Sequence, residues 1–275
     1  MRTITAQGVI EVSTYKNSIL GLAAAAILVA AWSFPTHAQE RQVSDFSAGK
    51  SHKYQLSVQE YVVFRTLLDD EAKNFAIGSD SLIGARLGTV TVSSASLAKA
   101  YKANEVAADK TYKGKQLLVS GKIERIHSAI GGSPYFVLGP GMDAPQAAMR
   151  KDEVDYAAAA QRGQAVRLVC VGNGATLGTA MLKECAPADA VAKAEVTKLT
   201  RQTDILLSNA RTNASAAQVV AAVVAISGAL KPSECTKEGD ACMKAISRIT
   251  GSKDFSQRLG EGVATLKAAG IDMPS

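Results

Sequence analysis

Aromatic side chains are scarce in this sequence, 5% of 275 residues with a single tryptophan. A surface that stacks ligand bases needs exposed rings over a basic groove, so few such surfaces can be built. Histidine is scarcer, three in all, and there is no C-x-x-C pair. That argues against a zinc centre, which needs closely spaced His and Cys ligands, and no cofactor is expected. No run of five or six like charges occurs, although Lys and Arg exceed Asp and Glu by 31 to 25. Charge interspersed in this way reads as a solvated surface, whereas a nucleic-acid footprint is a concentrated stripe. No G-x-S-x-G nucleophile motif is present. No apolar run reaches the about 20 residues that a membrane span needs.

The N-terminus carries an export signal pattern. Lys16 ends a weakly basic lead, Ile19 to Trp32 is an uncharged apolar core, Pro35 breaks it, and Thr36-His37-Ala38 offers small residues at a cleavage point. Cleavage is expected after Ala38, giving a periplasmic or secreted protein; the alternative is an uncleaved anchor. No cysteine follows the cleavage point, which speaks against lipid attachment. The exported part holds four cysteines, Cys170, Cys185, Cys235 and Cys242. An even number in an oxidising compartment reads as two disulfides. Three pairings are possible, and Cys170–Cys185 with Cys235–Cys242 fits the local structure best.

After a polar lead from Gln39, residues 54–76 show helical spacing of apolar residues, and 82–92 reads as a strand. Residues 39–93 form an N-terminal extension or small subdomain. Ser93 and Ser94 can cap a helix beginning near Ala95. Lys115 to Ile126 then alternates imperfectly, with the break at Gly121, as a long strand does when it bends. Short strands follow at 135–138 and 144–149, then a helix over 152–161 closed by Gly163, and alternating strands over 165–171 and 179–185. The loop between the last two centres on Leu177 and Gly178, which places Cys170 opposite Cys185. Three strands, a helix and two more strands is the plan of the five-stranded OB-fold β-barrel. The fold class is therefore α+β: a helix, the barrel over 94–186, and a C-terminal helical region over 187–275. Pro187 suits a first helical position. The nearly apolar segment 214–230 reads as a helix buried in a bundle.

The residues Asn104 to Lys115, Val119 to Ile123, Gly163 to Val166, and the late Cys170 and Cys185 resemble an exported bacterial OB-fold family labelled tRNA_anti-like. The resemblance covers about residues 94–186. It departs at the third strand, where Gly139 to Pro145 is inserted and Gln146 is polar. It implies the barrel and an exported compartment, and it brings no catalytic residues.

Chemistry is sparse. Gly172-x-Gly174-x-x-x-Gly178 is followed by another strand, where a dinucleotide loop needs a helix. Asp152, Glu153 and Asp155 suit a helix start through its dipole, and His127 reads as a barrel-mouth residue. The expected function is a non-enzymatic binding module whose partner is another envelope protein. The alternative is single-stranded nucleic acid or oligosaccharide on the face of strands two and three. That face would draw on Lys122, Arg125, His127, Tyr135 and Phe136. Tyr135 and Phe136 are adjacent, so only one can face outward.

Overall fold

The computed structural model describes residues 52–129, 132–208 and 214–273. The signal pattern at 1–38 lies outside the described residues. Helix α1 (Val58–Ile77) starts where Ser57 and Glu60 satisfy each other's backbone amides, and it stops at Gly78. The strand expected over 82–92 is mostly helix. Ser81 caps a short α2 (Leu82–Leu87), Gly88 ends it at φ 61°, and only β1 (Val90–Ser93) is extended. Two end signals at close spacing outweigh the apolar alternation of Leu87, Val90 and Val92. The next helix is two, α3 (Ser94–Ala103) and α4 (Glu105–Tyr112). Asn104 breaks it by adopting extended backbone and capping α4 with its own side chain.

Five strands close the barrel: β2 (Gln116–Ser128), β3 (Pro134–Leu138), β4 (Gln146–Met149), β5 (Ala165–Thr176) and β6 (Thr179–Pro187). The order around it is β2-β3-β4-β6-β5 and back to β2, with β4–β6 parallel and the other pairs antiparallel. Helix α5 (Val154–Ala159) lies between β4 and β5. This is the OB-fold plan. The sixth strand, β1, runs parallel to β2 along Leu117–Ser120, on the edge that β5 leaves open.

Closure depends on β2 changing neighbours midway. Gln116 to Lys122 pair with β5, and Ile123 to Ser128 pair with β3. The bend was expected at Gly121, yet Gly121 pairs regularly with Val166, and the register slips between Ile123 and Arg125. Gly121 serves a different need: a Cβ there would lie 2.8 Å from Ser94 Oγ, so the start of α3 can approach only a glycine. Glu124 is the extra residue of the bulge, and one extra residue reverses the in–out phase of everything beyond it. Ile126 therefore pairs with Phe136 on the inward side, while His127 pairs with Tyr135 and Arg125 with Val137 on the outward side.

The segment 172–178 is mostly strand. Pairing continues to Thr176 opposite Thr179, leaving Leu177 and Gly178 as a two-residue turn. Gly172 is not a loop glycine. Its N–H donates to the Lys115 carbonyl, its carbonyl accepts from Gly114, and a Cβ there would lie 2.2 Å from the Tyr112 carbonyl oxygen. Cys170 is bridged to Cys185 and Cys235 to Cys242.

The described residues form two cores. Leu117, Val119, Ile123, Phe136, Leu138 and Leu168 fill the barrel, closed over by Leu97 and Tyr101 of α3 and Ala157 of α5. Leu118 and Val169, paired across β2 and β5, point outward instead, into a helical core. That core joins α1 to α6 (Ala188–Ser208), α7 (Ala214–Ser227), α8 (Asp240–Thr250) and α9 (Phe255–Ala268). Pro187 ends β6, and α6 begins one residue later. A half-buried Arg86–Glu195 pair at 3.6 Å and a His52–Asp204 bond at 2.9 Å also tie the N-terminal segment to α6. No helix among the described residues is long and apolar enough to cross a membrane.

Three outcomes are expected. Replacing Cys170 and Cys185 by alanine opens a link of sequence separation 15, and urea unfolding should show a loss of about 3 kcal/mol on the chain-entropy account. The same change at Cys235 and Cys242, separation 7, should cost about 2.5 kcal/mol. Gly172→Ala should destabilise by about 2 kcal/mol or more, because the clash is with backbone that cannot rotate away. An unchanged urea midpoint would contradict that placement of Gly172.

Candidate binding surfaces

Two surfaces of the barrel are chemically distinctive. The first is its outer wall along β2. Beyond the bulge His127 and Tyr135 stack, with ring centroids 5.2 Å apart and planes 29° apart. Arg125 lies exposed between them and Lys122, and its Nη2 donates to the Gly141 carbonyl at 3.4 Å. Lys122 is exposed opposite Ala165 of β5. Four of the five residues expected on the binding face, Lys122, Arg125, His127 and Tyr135, thus share the outer side of β2 and β3. Phe136 does not. It is fully buried in the barrel core against Tyr156, ring centroids 6.2 Å apart, and cannot meet a ligand. The bulge at Glu124 sets that phase.

The second surface, which sequence reasoning did not single out, is one end of the barrel. An open cavity of about 670 Å³ lies between the α3–α4 junction, the β3–β4 loop and the tip of the β5–β6 hairpin. Tyr101, Lys102, Glu105, Met142, Asp143 and Leu177 contribute to its walls. Met142 is 95% exposed and Leu177 fully so. Val106, next to Glu105, is also exposed. Leu177 has φ 51° and Gly178 φ 78°, the left-handed pair of a tight hairpin turn in which Asn, Asp or Gly is preferred. A leucine there carries a backbone cost on the order of 1 kcal/mol and gains no burial in return. The one available sequence signal was the Leu-Gly dipeptide at the hairpin midpoint, where an Asn-Gly would have been ordinary.

Hydrogen bonds hold the floor of this end. Tyr101 donates its hydroxyl to Asp109 at 3.1 Å, and Lys113 donates to the same carboxylate at 2.9 Å. Lys102 reaches across to Asp143 at 3.3 Å. Burial, together with the bond to Asp109, pushes the Tyr101 phenol up to about 12. The bond from Lys113, supported by Tyr101, holds the Asp109 carboxyl below the usual carboxylate range. Among the described residues no cluster of three His, Cys, Asp or Glu side chains could hold a metal ion.

The two shifts act on opposite limbs of the pH–stability curve. A raised phenol favours the fold below its ordinary value of about 10, and that contribution is lost as pH climbs from about 10 to about 12. A lowered carboxylate favours the fold above the ordinary carboxylate range and stops doing so as pH falls through its depressed value. Thermal unfolding across pH should therefore show a flatter alkaline limb in Tyr101→Phe and a flatter acid limb in Asp109→Asn. Limbs that match the parent protein would contradict the Tyr101–Asp109–Lys113 arrangement.

Of the comparisons with known proteins, the family match agrees with the barrel. No curated protein matches the chain. Among solved structures, a lipoprotein from Klebsiella pneumoniae subsp. pneumoniae MGH 78578, provisionally described as nucleic acid-binding, is similar at 20% identity and a TM-score of 0.31. The similarity covers 38% of this chain and 94% of that one. The family description tRNA_anti-like matches residues 5–186, further upstream than the 94–186 that carry the sequence resemblance. With more than half of its length matched and the OB-fold barrel present, the chain belongs to the tRNA_anti-like family.

Proposed function

We propose that this chain is a non-enzymatic binding module of the cell envelope, and that it docks onto a partner protein through the barrel end around Leu177 and Met142. One observation carries the reading: Leu177 is fully exposed in a left-handed turn position. Folding alone would favour a polar residue or glycine there, so the leucine is best accounted for by a contact outside the chain. Met142, on a separate loop, presents a second apolar side chain to the same cavity. A flexible thioether beside an apolar anchor suits a protein surface that repacks on contact. Two disulfides fit an oxidising compartment, and the signal pattern fits export. The face of β3 and β4 supports nucleic acid or glycan less well as the primary interface. Val137 and Phe136 are buried, so β3 offers that face one ring, Tyr135, already stacked on His127 of β2.

The test is site-specific photo-crosslinking in intact cells. A photoreactive side chain at position 177 or 142 should give one discrete protein adduct, and one at Lys267 on α9 should not. Leu177→Asn should abolish the adduct formed from position 142 while raising stability by about 0.5–1 kcal/mol, because asparagine tolerates the turn geometry. If neither position yields a specific adduct, or if the adduct survives Leu177→Asn, the proposal fails.

A further inference from the structure

Sulfur is distributed unevenly over this fold. All four cysteines are buried and bridged, and no free cysteine occurs among the described residues. Met149 and Met273 are 4% and 7% exposed, and Met181 and Met243 are half-buried. That is where methionine usually sits, as a flexible filler of irregular gaps. Met142 departs from the pattern at 95% exposure. It is also the one methionine that lines the cavity at the barrel end.

The loop that carries it is pinned from three elements. Arg125 of β2 donates to the Gly141 carbonyl at 3.4 Å. The Thr179 hydroxyl of β6 donates to the carbonyl of Met142 itself at 3.4 Å. Lys102 of α3 donates to the Asp143 carboxylate at 3.3 Å, and Ala144 beyond it is buried. The backbone is thus anchored before, at and after Met142, while the thioether stays in water. Susceptibility of a methionine to oxidation follows its exposure. Two disulfides fit an oxidising compartment. With no thiol among the described residues to react first, Met142 is the sulfur that a peroxide meets.

We infer that Met142 is a reversible oxidation site that switches the docking end off, an inference whose regulatory half rests on the docking role of Leu177. The co-reactant is a peroxide. The sulfur lone pair attacks one peroxide oxygen, the O–O bond breaks, a sulfur–oxygen bond forms, and water leaves. Sulfur loses two electrons and the peroxide gains them. The product is a polar, chiral sulfoxide in place of a flexible apolar group. A dithiol reductase of the methionine sulfoxide class reverses the step, yielding thioether, disulfide and water. Burying the sulfoxide dipole against an apolar partner without a hydrogen bond is unfavourable and weakens docking by about tenfold or more. Docking and oxidation then exclude each other. A docked partner covers the sulfur, and an oxidised sulfur repels the partner. The fold itself is indifferent, because the side chain is almost wholly in solvent.

The experiment has two arms. In the first, the disulfide-intact protein is treated with hydrogen peroxide, and peptide masses are followed in time. Met142 should gain one oxygen about tenfold faster than Met149 and Met273, with thermal unfolding unchanged. Equal rates at the three positions would overturn the oxidation site. In the second arm, a photoreactive side chain at position 177 reports docking in intact cells. A peroxide pulse before irradiation should lower the adduct about tenfold in the parent protein and leave it intact in Met142→Leu, which stays apolar and cannot be oxidised. Met142→Gln, polar from the start, should lower it without peroxide. An adduct that survives when the masses show Met142 oxidised would overturn the switch, as would equal loss in Met142→Leu. No adduct from position 177 in untreated cells would sink the docking reading and the switch with it. The oxidation site would still stand or fall on the peptide masses.

Discussion

The bulge at Glu124 is the constraint on which this molecule is built. A thirteen-residue strand, β2, has to bond to β5 at its start and to β3 at its end. Without the extra residue, alternation would carry Arg125 and His127 to the side that Ile123 and Phe136 share. Burying an unpaired guanidinium costs several kcal/mol, so the phase is not negotiable. With the bulge, Leu117, Val119 and Ile123 fill the barrel, Leu118 serves the helical core, and the polar residues beyond face water. The two hydrophobic cores and the charged wall all follow from the same strand.

Much of this was legible from short-range pattern. The alternation over 165–171 and 179–185, and the equal spacing of Cys170 and Cys185 from a turn at Leu177 and Gly178, identify the hairpin and its bridge because both signals are local. What was not legible depends on distant residues. Gly121 looks like the bend because glycine is the visible irregularity, but its reason is Ser94, which sequence distance hides. Which of Tyr135 and Phe136 faces inward cannot be read without knowing that Glu124 shifts the phase. The outward position of Arg167 follows from alternation in β5, yet its neighbourhood with Lys122 exists only after β5 pairs with β2. Arg162 joins them only through the backbone bonds of Gly163 and Gln164 to Ile123. The core that α1 shares with α6 to α9 spans the whole barrel in sequence, and no periodicity within either flank announces the other.

Backbone strain helps to separate folding from function. Among the described residues three non-glycine residues have positive φ: Leu177, Glu184 and Cys235. Cys235 is itself bridged, and Glu184 precedes the bridged Cys185, opposite the stretch where the β5–β6 register slips. Each is held by a covalent tie next to it. Leu177 has no such tie, and its side chain touches solvent on all sides. Strain without a local support is informative in a way that strain beside a disulfide is not.

The distribution of covered and open surface narrows what such a module can do. Helices cover the barrel at Leu118 and Val169, α3 and α5 close over its interior, and β1 occupies the edge of β2 that β3 does not reach. An apolar end at Leu177 and cationic side chains at Lys122 of β2 and Arg167 of β5 remain open. Their chemistries are opposite, so one ligand class does not satisfy both. The helical core packed on Leu118 and Val169 lies between the two along β5 and keeps them apart.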